Sequence, residues 1–226
     1  PEALNLRSMI LQNLEEALIE TDELKKKALL NFVVVGGGPT GVELSGALAE
    51  LKNHILHEDY PELSIDLVKV SIIEGSETLL GSMSAQASAK ARVFLEDLGV
   101  EVLTELRVES YDGLTIKLSD GQVIHTRNVL WSAGVKGAIP DGLTSEQITR
   151  GNRILVDEFN RVKNSDHIYA IGDVSAMITD ELPNGLPGVA PVAIQQGKKL
   201  ASNLIHIINN ESPIPFRYFD KGSMAT

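Results

Sequence analysis

This sequence has no cysteine, so it can form neither a disulfide framework nor a redox-active Cys-x-x-Cys pair, and it offers no thiolate to a metal. No apolar run in it approaches the roughly 20 residues that a membrane-spanning helix needs. Membrane attachment would therefore have to come from sequence outside these 226 residues. Basic residues are the minority, 20 Lys and Arg against 31 Asp and Glu, for a formal net charge of −11. Nucleic-acid binding needs clustered cations, so that class of partner is disfavoured. The chain also lacks an initiator Met and a secretory pattern, and it stops at Thr226 just after a Gly-containing turn; it reads as a piece of a longer protein. What is there is a 43% hydrophobic composition, enough to bury a sizeable core in one or two domains.

The densest signal is Asn31 to Glu50, NFVVVGGGPTGVELSGALAE. Phe32 to Val35 is a β-branched apolar run that reads as a short buried strand. Gly36, Gly38 and Gly41 follow as G-x-G-x-x-G, and Leu44, Ala47, Leu48, Leu51 and Ile55 then recur at helical spacing. In this arrangement Gly36 permits the tight turn, Gly38 lets a pyrophosphate approach the backbone, and Gly41 lets helix and strand pack closely. The first N–H groups of the helix then face an anion. The bland alternative is a tight strand-to-helix turn with no ligand. Such a unit needs an acid at the end of its second strand to hold ribose hydroxyls. Lys69 to Ile73 reads as that strand and Glu74 as the acid, displaced from its usual spacing by an insertion over Asn53 to Val68. A carboxylate there repels a 2′-phosphate, so NAD(H) is expected over NADP(H).

The remaining patterns are coarser. Leu4 to Leu18 has the spacing of an amphipathic helix, placed as a connector over residues 1–28. Ser82 or Ser84 can cap a second helix with Ala87, Ala91, Phe94, Leu95 and Leu98 on its inward face and Gly99 at its end. Val100 to Leu103 reads as a strand. Val108 to Tyr111, Leu114 to Leu118 and Val123 to His125 read as an antiparallel meander, and Val129 to Trp131 returns to the sheet with Trp131 in its core. This order describes an α/β, Rossmann-like dinucleotide-binding domain over residues 29–134 with an inserted antiparallel meander. Residues 135–152 are rich in Gly, Pro and polar side chains and lead into a second domain. There, Ile168 to Asp173 reads as a buried strand ending in a carboxylate, and Ala190 to Asn209 as a helix turning Ala193, Ile194, Gly197, Leu200, Ala201, Leu204 and Ile208 inward until Pro213 stops it. His54, His57, Glu58 and Asp59 are a solvated helix end rather than a metal site, and no metal is expected.

The motifs GGGPTGVE, WSAGV, YAIGDV, PVAIQQG and YFDKGSMAT, in that order, resemble the flavin-dependent pyridine nucleotide oxidoreductases of two dinucleotide-binding domains, and within them the type II NADH dehydrogenases. The resemblance implies a fold in which residues 135–226 are the C-terminal part of an FAD-binding domain, and an activity passing electrons from NADH through FAD to a membrane quinone. It implies cofactor contacts at Gly36, Gly38, Pro39, Thr40, Gly41, Glu43, Glu74, Ala133, Gly134, Gly172, Asp173 and Ala193, with Asp173 on the ribityl chain of FAD. Ala193 to Gln196, with Gln195 and Gln196 among the catalytic residues, would lie along the isoalloxazine ring near the quinone entrance, Glu43 by the nicotinamide and flavin, and Lys221 near the quinone side. Many relatives have Gln where this chain has Pro191, so no side-chain contact is carried over from that position. The resemblance further implies a peripheral enzyme on the cytoplasmic side of the inner membrane, held by a C-terminal amphipathic segment that is not in these residues. The family's first FAD half-domain is not in them either, so the piece alone would be inactive. The sequence leaves the oligomeric state open, a homodimer being one option. It also leaves open another flavoprotein reductase of the ferredoxin or sulfide:quinone type, or a non-catalytic NAD-binding redox-sensing module.

Overall fold

The structure, a computed structural model, describes residues 2–180, 182–220 and 222. It divides into two units, one up to Ala133 and one from Gly134 to Gly222.

In the first unit, helices α1 (Glu2–Ile19) and α2 (Glu23–Leu29) lead into strand β1 (Asn31–Val35). Four parallel strands follow the order β3 (Val100–Leu103), β2 (Lys69–Ile73), β1, β7 (Asn128–Trp131). Central β1 pairs on both sides, Val33 lying between Ser71 and Val129. Period-2 alternation sends its apolar run to two different cores. Phe32 and Val34, with Val70 and Ile72, pack against Leu14 of α1, Leu48 of α3 (Pro39–Glu50) and Leu95 of α5 (Ala85–Asp97). Val33 and Val35, with Ile73, pack against Ile116 and Leu118 of the meander β4 (Val108–Tyr111), β5 (Thr115–Leu118), β6 (Val123–His125). Burying each such side chain stabilises the fold by about 1.5–3 kcal/mol. Ser84, not Ser82, caps α5 by accepting from the Ala87 N–H. The 53–68 insertion is a π-type turn at Leu51–Ile55, a short helix α4 (Leu56–Asp59) and a loop, and it contributes Leu56 and Leu63 to the core.

The connector helix is built into this unit. Ile10, Leu14 and Ala17 lie in the core, and the Asn13 side-chain amide donates to Asn128 Oδ1 at 2.6 Å. Asn128 in turn donates to the Leu29 carbonyl at 2.7 Å.

Two expectations for the first unit need correcting. Trp131 is not core but 62% exposed, because β7 ends there and its indole N–H donates to the Ala133 carbonyl instead of facing an apolar neighbour. Phe94 is also exposed; Leu95 alone of that pair turns inward.

The second unit holds a small sheet of order β10 (Ser175–Met177), β9 (Arg153–Val156), β8 (Ile148–Thr149), with helix α6 (Ala190–Ile208). Its core gathers Ile154, Val156, Val162, Ala170, Met177, Leu186, Val192 and Phe216. Ile168 to Asp173 is not the strand read from the sequence. It is held by a single bridge from Tyr169 to Arg161 and by the Ala170 N–H on the Asn160 carbonyl, and Gly172 at φ +71° breaks the extended run before β10 begins. The face of α6 also differs. Val192, Gln196 and Asn203 are buried, while Ile194, Ala201, Leu204 and Ile208 are exposed within this unit. The reason is hydrogen bonding: Asn203 exchanges two bonds with the backbone of Ile214, and Gln196 takes the N–H of Gly172, so polar side chains claim the inward positions.

Candidate functional site

At the end of β1 the chain turns through Gly36 at φ +112°, a left-handed conformation that disfavours side chains. A Cβ there would also stand 2.7 Å from the backbone nitrogen of Ala133. At Gly41 a Cβ would overlap the Gly36 carbonyl oxygen, so the first turn of α3 sits directly against the strand end. Gly38 is different: it is exposed, and a Cβ there would meet nothing within 4 Å. It is the N-cap of α3, with Pro39 following and no side-chain cap hydrogen bond. Gly38, Pro39 and Thr40 are exposed at this uncapped, positive end of the helix dipole, the conditions for holding a phosphate. Glu43 is exposed and lies beyond the first turn of α3. The dipole fades over that distance, so it does not explain a glutamate at this position.

Glu74 closes the other side of this space. Its Oε2 accepts from the Gly37 N–H at 2.6 Å, and its Oε1 accepts from the Ser76 N–H at 2.8 Å and the Ser76 hydroxyl at 2.6 Å. Partial burial pushes its pKa up, but the hydrogen bonds from the Ser76 hydroxyl and from the N–H groups of Gly37, Ser76 and Gly75 outweigh it and hold the carboxyl below its ordinary value. Glu74 is thus a fixed anion. Oε1 already accepts two bonds, so the open acceptor site for a hydroxyl is on Oε2. Gly37 and Ser76 were missed from the sequence. A Cβ on Gly37 would come 2.9 Å from Cβ and Cγ of Glu74, so the middle glycine of the GGG run is constrained like Gly36 and unlike the open Gly38. A serine two residues after an acid, able to close a local turn, was the available signal for Ser76.

In the second unit Gly172 and Asp173 begin a short 3₁₀ turn, Gly172–Val174. The Asp173 side chain is exposed, and among the described residues no hydrogen bond or ion pair reaches its carboxylate. Gly188 passes beside it; a Cβ there would lie 3.3 Å from the carboxylate oxygen. Behind the turn, Gln196 Oε1 accepts from the Gly172 N–H at 2.7 Å, and the Ser175 hydroxyl donates to the Gly172 carbonyl at 2.9 Å. Ala193 is half-buried one turn earlier on α6, 3.4 Å from where a Cβ on Gly172 would be. Gln195 makes a two-way pairing with Phe219, donating to its carbonyl at 2.8 Å and accepting from its N–H at 3.0 Å. Gly134 opens this unit at φ +74°. Lys221 lies outside the described residues, as does the end of the YFDKGSMAT motif from Ser223.

The first unit thus has an open helix start and a hydrogen-bonded acid at the end of its second strand, and the second unit has a carboxylate after a glycine turn. The family model described as pyridine nucleotide-disulphide oxidoreductase matches residues 7–197. The chain belongs to this family. Among its relatives, the type II NADH:quinone oxidoreductase Ndh of Mycobacterium tuberculosis is 35% identical over all of this chain and half of that protein. The internal alternative NAD(P)H-ubiquinone oxidoreductase A1 of Solanum tuberosum mitochondria is 34% identical over 99% of this chain and 47% of its own length. The chain thus spans about half the length of the curated relatives it matches. The structure of NDH2 from Plasmodium falciparum in complex with NADH superposes with a TM-score of 0.85 at 20% identity, over 99% of this chain and 61% of that one. At that identity the likeness shows the fold, which is α/β and Rossmann-like with a parallel sheet. Within the family the absence of cysteine is informative: no redox disulfide can form inside these 226 residues.

Proposed function

We propose that this chain carries the NAD(H) site and part of the flavin site of an oxidoreductase that passes electrons from NADH through FAD to a membrane quinone. On this reading the NAD(H)-binding domain covers residues 29–134 and the C-terminal part of the FAD-binding domain covers residues 135–226. The observation that carries it is the clamp from Glu74 to Gly37. It places a carboxylate of lowered pKa beside the open helix start, where adenosine ribose and pyrophosphate can be held together.

Gly36, Gly38, Pro39, Thr40 and Gly41 shape the phosphate end, and Glu74 accepts from the ribose hydroxyls and repels a 2′-phosphate. Ala133 supports the turn at Gly36, and Gly134 follows it into the second unit. Glu43 serves the nicotinamide end. In the second unit the unpartnered Asp173 carboxylate after Gly172 fits the hydroxyls of a ribityl chain. FAD, when bound, supplies the hydride acceptor and hands electrons onward to the quinone. The chain's own part is to bind, orient and shield from water. Ala193 and Gln195 lie along the flavin near the quinone entrance, and Lys221 is on the quinone side. NADH and quinone are the partners. Among the described residues no helix is long and apolar enough to cross a membrane. On the resemblance to the type II NADH dehydrogenases we place the whole protein peripherally on the cytoplasmic side of the inner membrane.

The test is full-length protein supplied with FAD, NADH and a short-chain quinone. Loss of NADH absorbance that depends on the quinone supports the reading. Consumption of NADH only with a ferredoxin or a sulfur acceptor, or none at all, overturns it.

A further inference from the structure

The geometry points to Gln196 as a positioning residue for the flavin, acting through Gly172 on Asp173, and not as a contact to quinone; this rests on the flavin reading above. Gln196 is the seventh residue of α6 and 1% exposed. Both ends of its amide are committed inside the fold: Oε1 takes the Gly172 N–H at 2.7 Å, and Nε2 lies 3.4 Å from the Ser175 hydroxyl. Ser175 closes the triangle by donating to the Gly172 carbonyl. A buried amide with no polar atom facing outward cannot also bind a substrate arriving from solvent or membrane.

The triangle does have a task. Gly172 stands at φ +71°, outside any strand, so its N–H has no ladder partner among the described residues. Gln196, 24 residues along the chain, supplies the acceptor and so holds the turn that presents Asp173. Nothing else in the described chain fixes the Asp173 carboxylate. Its direction is therefore set by the turn beneath it.

The test uses full-length protein with Gln196→Met, Gln196→Glu and Ser175→Ala, reading the FAD dissociation constant, the flavin absorption band and the quinone KM at saturating FAD. Gln196→Met keeps the shape but removes the acceptor; FAD should bind roughly tenfold more weakly or worse, with an altered flavin band and an unchanged quinone KM. Gln196→Glu retains an acceptor oxygen for the Gly172 N–H and should bind FAD more tightly than Gln196→Met. Ser175→Ala should shift FAD affinity in the same direction by about threefold. Parental FAD affinity in Gln196→Met together with a raised quinone KM would overturn the assignment. If Gln196→Met does not fold, unchanged FAD affinity in Ser175→Ala overturns it instead. A parent protein that holds no FAD overturns the flavin reading itself, and this inference with it.

Discussion

The carboxylate of Glu74 and the N–H of Gly37 meet at 2.6 Å across 37 residues of chain. The residue that would read the ribose therefore also holds the loop that would carry the pyrophosphate. On the proposed reading, recognition at one end of the cofactor and order at the other would be coupled through one hydrogen bond.

The first prediction concerns cofactor choice. The chain should bind NADH more tightly than NADPH, and in Glu74→Ala the preference should shrink while affinity for both falls, because the loop loses its tether. Isothermal calorimetry measures both. Equal affinities in the parent would remove Glu74 from the ribose site.

pH provides a second test of the same bond. Folding lowers the Glu74 pKa below its ordinary 4.5. Its clamp therefore adds stability above that value, and this stability is lost as pH falls through the lowered native value. The melting-temperature difference between parent and Glu74→Gln should be largest at neutral pH and should shrink as pH falls below 4.5. A difference that does not vary with pH would show that the charge contributes nothing to the clamp.

Two glycines should fail in opposite ways. Gly38→Val places its side chain in open space, so circular dichroism should not change while NADH affinity disappears. Gly41→Ala puts a methyl group onto the Gly36 carbonyl and should destabilise the fold by about 1–3 kcal/mol in denaturant titration. Parental NADH affinity in Gly38→Val would move the phosphate site elsewhere.

The attachment of α1 is also measurable. Asn13→Ala leaves the buried Asn128 oxygen without its donor, and urea unfolding should show a loss of about 1–3 kcal/mol. A loss below half the lower figure would mean that Leu14 and Ala17 alone seat the helix.

The isolated chain should purify colourless. It contains one G-x-G-x-x-G, the one we assign to NAD(H), so the phosphates of FAD find no second cradle in these residues. Each charge-assisted bond forfeited costs about 1.5–3 kcal/mol. Stoichiometric flavin absorbance in the isolated chain would relocate the flavin site.

Short-range pattern was enough for the strand at Phe32 to Val35, the glycine turn, the helix after it, the second strand ending at Glu74 and the three-stranded meander. In each of these the side-chain period and the turn residues lie within a few positions of one another, and neighbouring residues decide them. The inward face of α6, the broken run from Ile168 to Asp173 and the exposure of Trp131 were not legible. Their outcomes depend on partners far along the chain or on where a strand stops: Gln196 is buried because Gly172 needs an acceptor, and Asn203 because Ile214 does. Hydrophobic periodicity treats a buried amide as a surface residue, so it rotated α6 the wrong way. The candidate site divides along the same line. Gly36, Gly38, Gly41, Glu74 and Asp173 could be named from local sequence, whereas the bonds from Glu74 to Gly37 and from Gln196 to Gly172 exist only once the strands and helices have packed. A backbone N–H in a tight turn takes whichever acceptor the fold brings within reach.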